Sequence, residues 1–351
     1  MKLQRGNFVT TPAPNSENCQ NISQQMRFRT ILGRAGDFRA DVFFQFIFPK
    51  LAGMEMPLTL DGFLTGPTST CASTLPVHQD IKTYSQKVVG NTIELTGHSV
   101  LTEPAFWTPS VPMLYAMKCK VMSSTSEVAS VHKTIGLRRL GIRNHSLWLD
   151  GHRFVVRGIT CSTVDSTLFD QQIFTAKEQN TTEIIDLPSD GFLSCGELSK
   201  LEGHLQRTDE IGRSIIIRVH PETHPSVMPD ILCKLVNHPS VFITVIPPSL
   251  LAVLEKFSIF KGTMLLAKEV SGEKPPPELP NGVDVAIIQL TDSEPEASWK
   301  TPPSYPTIAW NKEMPSQRQA CDRFQAILAS WRTSSEGPPS SWDWAGFLVG
   351  N

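Results

Sequence analysis

Residues 135–160 read IGLRRLGIRNHSLWLDGHRFVVRGIT, with apolar alternation on both sides of a central Asp150-Gly151 pair. Asp-Gly between alternating runs is the strongest short-range hairpin signal, because both central positions of the favoured two-residue turn need positive φ. Two strands are expected here. The first, around Leu147 to Leu149, closes one unit. The second, Arg153 to Ile159, is β-branched and largely apolar on both faces, as a strand buried in a parallel sheet should be. The stretch is therefore a junction, and the two sides of it have different textures.

Upstream, the runs 40–48, 57–64, 78–88, 91–100 and 113–121 are short and rich in Val, Ile, Thr, Phe and Tyr, with Gly and Pro between them. That spacing predicts an all-β sandwich of about 100 residues. Residues 1–25 are polar and proline-bearing, and are expected to form an irregular leader. Downstream, eight apolar runs (153–159, 182–187, 214–219, 241–246, 263–267, 284–290, 306–310 and 345–349) alternate with segments that can be helical: 168–179, 196–210, 229–237, 249–256 and 317–332. Eight is the number that closes a (β/α)8 barrel. The barrel would be compact, and KPPPELP at 274–280 is too proline-rich for a helix.

Composition adds bounds. The chain has 351 residues, 40% hydrophobic and 19% charged, with a formal net charge of −2. That balance is globular and points to neither nucleic acid nor an anionic membrane as partner. The seven cysteines are widely spaced and odd in number. They read as free thiols in a reducing compartment, and with no signal-peptide pattern the expected location is cytoplasmic.

Phe106-Trp107-Thr108-Pro109 with Pro112 and Leu114-Tyr115, then Ile135-Gly136-Leu137-Arg138, Leu149-Asp150-Gly151 and Val156-Arg157-Gly158, together resemble the passage from sandwich to barrel in family 2 glycoside hydrolases, the β-galactosidase and β-glucuronidase group. The resemblance implies a multidomain β plus α/β chain: a leader at 1–25, an immunoglobulin-like β-sandwich at 26–143 and a TIM barrel at 144–351. It also implies two carboxylates, a general acid/base after strand four and a nucleophile after strand seven, held close together in retaining enzymes. His238-Pro239-Ser240-Val241 is similar to the family's entry into strand four, which places Ser249 on the acid/base. Pro306 to Asn311 is similar to its strand seven, which places Asn311 on the nucleophile. A serine hydroxyl is no general acid at neutral pH, and an amide cannot form a glycosyl-enzyme intermediate.

Other acids fall near the expected C-terminal face: Asp186 and Asp190 after strand two, Glu269 after strand five, Asp292 and Glu294 after strand six, and Glu313 beyond strand seven. Capping and solvation are the ordinary roles of such residues, and Glu269 with Glu313 is the pair to choose for catalysis. The binding candidates at the mouth are Asp186, Arg218, His220, Asp292, Trp310 and Asn311. RVHPETHP at 218–225 has metal-like histidine spacing, yet Pro221 and Pro225 argue against the helix such a pair needs, so no metal and no cofactor are expected. Trp310, Trp342 and Trp344 offer faces for sugars, or core packing. Three functions follow: a degenerate glycosidase-like protein binding a carbohydrate or protein partner at the barrel mouth, an active glycosidase with relocated carboxylates, or a structural assembly protein.

Overall fold

The computed structural model describes residues 26–51, 54–124, 126–161, 180–187, 195–256, 261–291, 294–296, 299, 301–333 and 342–351, with side chains described from residue 200 onward in the first helix. The expected leader, the expected helix at 168–179, Asp190 and Asp292 lie outside the described residues. No described helix is long and apolar enough to cross a membrane.

Seven antiparallel strands come first: β1 (Arg27–Ala35), β2 (Arg39–Pro49), β3 (Thr59–Thr68), β4 (Val77–Val89), β5 (Thr92–Thr102), β6 (Leu114–Met122) and β7 (Glu127–Ile135). Their order is β1-β2-β5-β4-β3-β6-β7. This is the immunoglobulin strand order, four strands then three, with the two halves joined through β3–β4 pairing. Alternation drives it: in β2 the residues Ala40, Val42, Phe44, Phe46 and Phe48 are all buried while their neighbours are not. At the start of β6 the Tyr115 hydroxyl accepts from the Ala105 amide at 2.8 Å and donates to the Ala105 carbonyl at 3.3 Å. That is the tyrosine corner of such sandwiches.

The Asp150-Gly151 turn is present, with φ of 50° and 80°, between β9 (Ser146–Leu149) and β10 (His152–Phe154). With β8 (Leu140–Arg143) they form a separate three-stranded sheet. The single strand expected over 153–159 is thus two elements: β10 ends at Phe154, and the barrel begins with β11 (Val156–Thr160). The largely apolar run conceals that break: Phe154 is partly buried against the barrel cluster while His152 and Arg153 are exposed, and Val156 and Ile159 are buried in the barrel wall.

The barrel is closed by eight parallel strands, β11 with β12 (Thr182–Asp186), β13 (Ile215–Arg218), β14 (Val241–Val245), β15 (Leu265–Ser271), β16 (Val285–Gln289), β17 (Thr307–Asn311) and β18 (Trp344–Val349). The described helices are α1 (Cys195–Ile211), α2 (Met228–Leu235), the single turn α3 (Pro248–Leu251) and α4 (Arg318–Thr333). The segment 274–280 has no helix. Leu140, Leu147 and Leu149 share a cluster with Val156, Ile184, Ile216, Phe242 and Ile308, so the small sheet plugs the barrel's lower end.

The motif residues of the junction meet there. Trp107 is fully buried; its amide donates to Leu137 O at 2.6 Å and its indole to Asp209 O at 2.8 Å. Gly136 lies against Pro239 so closely that a Cβ would collide with the ring. Arg138 is buried, donates through Nη1 to the carbonyls of Pro239 and Val241, and lies 4.8 Å over the Phe242 ring. On β1 the edge is covered by Asn237, whose Oδ1 accepts from Thr30 N at 3.2 Å and whose Nδ2 donates to Phe28 O at 2.8 Å. A barrel side chain thereby does what a neighbouring strand would do.

Candidate functional site

Alternation along the barrel strands decides which side chains look into the mouth. Ile184, Ile216, Ala267, Ile287 and Ile308 belong to the interior cluster, so the residues two further on, Asp186, Arg218, Glu269, Gln289 and Trp310, form the layer above it. Glu269 lies inside β15, which runs four residues past its expected end.

Arg218 organises this layer. Its Nε donates to Glu269 at 2.8 Å, and its Nη1 donates to both Asp186 oxygens at 2.9 and 3.1 Å. Its guanidinium carbon sits 4.6 Å from the Trp310 ring centre. Gln289 donates its amide to the second Glu269 oxygen at 2.7 Å. Lys312 approaches the same tryptophan, its Nζ 4.4 Å from the ring centre. The Trp310 indole donates to Gly350 O at 2.8 Å, and the residue is only 1% exposed. A ring this covered is a cation platform for the protein's own side chains.

The two positions that the family resemblance assigns to acids are elsewhere engaged. Asn311 shares its parity with Ala309, which packs in the outer cluster beneath α4. Its Oδ1 accepts from the amides of Glu313 at 3.0 Å and Met314 at 3.1 Å, closing the turn after β17. Ser249 sits in the first turn of α3 and donates to Pro221 O at 2.8 Å. Glu313 is exposed, as is Glu294.

His220 accepts from Glu222 N at 3.3 Å through Nδ1, and His224 does the same for Ser226 N at 3.2 Å, capping the short 3-10 turn Pro225–Val227. Both histidines serve their loop. Among the described residues no cluster of His, Cys, Asp or Glu is placed to hold a metal ion. Trp342 and Trp344 stand at the beginning of β18, the end away from the mouth, and pack with Trp299 and Trp331 at centroid distances of 5.5 to 6.3 Å. They are core. Burial pushes the thiols of Cys119, Cys161 and Cys321 up to about 12 and Cys233 up to about 11, so none is a thiolate nucleophile at neutral pH.

Gln289 and Lys312 join the mouth, although their residue types alone do not mark them. Parity finds Gln289, two residues beyond the interior Ile287; nothing local finds Lys312.

No protein-family model matches the chain, and no curated protein matches it in sequence. Solved structures do match in fold. A β-glucuronidase from Bifidobacterium dentium, complexed with coumarin-3-O-glucuronide, superposes with a TM-score of 0.59 at 11% identity, covering 93% of this chain and 60% of that one. A β-glucuronidase from Bacteroides uniformis gives 0.58 at 12%, over 92% and 45%. A glycosyl hydrolase family 2 member from Bacteroides cellulosilyticus DSM 14838 gives 0.59 at 14%, over 93% and 46%. The chain spans about half the length of these proteins. At such identities the likeness is one of architecture: the chain has the sandwich-and-barrel fold of family 2 glycoside hydrolases.

Proposed function

We propose that this protein is a catalytically silent relative of the glycosidases that binds a carbohydrate at its barrel mouth. One observation carries the reading: the acids of the mouth layer, Asp186 and Glu269, are both ion-paired to Arg218, while Ser249 and Asn311 stand where the resemblance calls for carboxylates. Retaining hydrolysis needs one carboxylate free to attack and another free to carry a proton. A carboxylate already accepting from a guanidinium is a weak nucleophile and a poor proton carrier. The same layer of carboxylates, guanidinium and amide suits the hydroxyl groups of a sugar.

The alternative of a relocated pair, Glu269 with Glu313, is disfavoured by their settings, one in an ion pair and one on an exposed turn. The deciding experiment is a turnover screen with aryl glucuronides, galactosides, glucosides and mannosides, run beside a glycan-binding array. Binding of monosaccharide glycosides that weakens in Gln289→Ala, without turnover above buffer, is the expected result. Hydrolysis that survives repurification and collapses in Glu269→Gln would overturn the proposal.

A further inference from the structure

The outer face of the sandwich carries a row of rings across β2, β5 and β4. Phe43 and His98 are register partners, with ring centroids 4.7 Å apart and planes 27° apart. Tyr84 completes the row, 5.2 Å from Phe43 at a 71° inclination and 5.8 Å from His98. Tyr84 is the extra residue of a β-bulge, since Thr83 faces Gly97 and Ser85 already faces Thr96. Bulges aim side chains that regular pairing would not. On β1, Gly33 makes room for the row: a Cβ there would lie 2.8 Å from the Phe43 ring.

Polar groups border the rings. Asp41 accepts from Arg39 Nη2 at 3.1 Å and pairs with His98 Nε2 at 3.1 Å. Those bonds hold the Asp41 carboxyl below the usual carboxylate range, so it stays an acceptor. Lys82 stands across from His98 on β4. Tyr84 is 65% exposed and the Arg39 side chain 64%.

Which partner fits an exposed ring bordered by a carboxylate and a guanidinium? Protein interfaces are depleted of Asp and Lys, whereas here Asp41 pairs with His98 and Lys82 stands across from it, both bordering the rings. A pyranose has the matching pattern: a face of C–H bonds that lies on an aromatic ring, and a periphery of hydroxyls that pair with carboxylate and guanidinium. We propose that this face is a saccharide-binding platform, with Tyr84 as the stacking ring and Asp41, Arg39 and His98 as the hydroxyl-binding rim. It lies on the sandwich and is independent of the mouth.

The test is native affinity electrophoresis of the full chain in gels containing soluble xylan, mixed-linkage β-glucan, galactan or glycogen. At least one polysaccharide should retard the protein. Affinity should fall at least tenfold in Tyr84→Ala and in Tyr84→Leu, which keeps apolar bulk without a π face, and should persist in Tyr84→Trp and in the mouth variant Gln289→Ala. Retardation by none of them, or equal retardation of all Tyr84 variants, would overturn the platform. Loss in Gln289→Ala with Tyr84→Ala unaffected would assign the binding to the mouth instead. A dimer in sedimentation that Tyr84→Ala dissolves, with no saccharide bound, would make the face a contact between copies and likewise overturn the proposal. Unchanged thermal unfolding of Tyr84→Leu and Tyr84→Trp separates each outcome from misfolding.

Discussion

Two arginines stand over aromatic rings at opposite ends of one barrel, and their settings differ in a way that bears on function. At the lower end Arg138 lies over Phe242 and, among the described residues, no carboxylate accepts a hydrogen bond from it; its Nη1 donates to two backbone carbonyls of the barrel. At the mouth Arg218 lies over Trp310 and is held between two carboxylates. The first is a pin that fastens the sandwich to the barrel. The second occupies the acids on which hydrolysis would depend. What accepts from these two arginines differs: the carbonyls make Arg138 structural, whereas on the proposed function the mouth carboxylates make Arg218 a brake on chemistry.

Removing the pin should give the largest effect. Arg138→Met leaves the Pro239 and Val241 carbonyls without their donor and removes the ring contact, an expected loss of about 3–4 kcal/mol. Chemical denaturation checks it, and a loss below about 1 kcal/mol would deny Arg138 its role. A third arginine sharpens the contrast. Arg213 lies in the barrel wall with its Nη1 3.1 Å from Glu183, both side chains under a tenth exposed. Burial pushes the Glu183 carboxyl upward, but His204 and Arg213 outweigh it, leaving it below its ordinary value. A depressed carboxylate contributes stability that is present above about pH 4.3 and is lost as pH falls through its lower folded value. Stability should thus decline steeply in acid below about pH 4. Glu183→Gln should cost about 3 kcal/mol at neutral pH and flatten that decline; an unaltered acid limb would place the titration elsewhere.

Much of the frame was legible because burial on both faces leaves apolar runs that need no partner to be recognised. All eight barrel strands overlap such runs, among them IIIR at β13 and VFITV at β14. The two outer strands β1 and β7 are not legible, for the opposite reason. RFRTILGRA and EVASVHKTI mix charge into every few residues, as sheet edges do, and they are strands because β2 and β6 pair with them. The mouth was legible in its residue types but not in its pairings. Arg218 and Glu269 are 51 positions apart, and no local rule brings them together. The role of Asn311 could have been read: Asn often accepts from amides two or three residues ahead, and Glu313 and Met314 stand at those positions.

That turn supplies a smaller test. Asn311→Ala frees two amides and should cost about 1 kcal/mol, the usual worth of such a cap, while Asn311→Asp keeps the acceptor and should leave stability nearly unchanged. If both behave alike, the side chain is no turn closer, and its place at the end of strand seven would again invite a role in ligand contact.

The smallest effect on stability is expected at the brake itself. Arg218 is partly exposed, and solvent screens both of its ion pairs, so Arg218→Met should change stability by less than about 1 kcal/mol. Its weight lies in activity. With the guanidinium gone, Asp186 and Glu269 are released, and among the described residues only Gln289 still donates to Glu269. Absent turnover against aryl glycosides in this variant would mean that Asp186 and Glu269 do not form a working acid and nucleophile pair even when released, in keeping with Ser249 and Asn311 after strands four and seven. New turnover would mean that the brake alone separates this barrel from a hydrolase, and that Glu269 is the carboxylate it restrains.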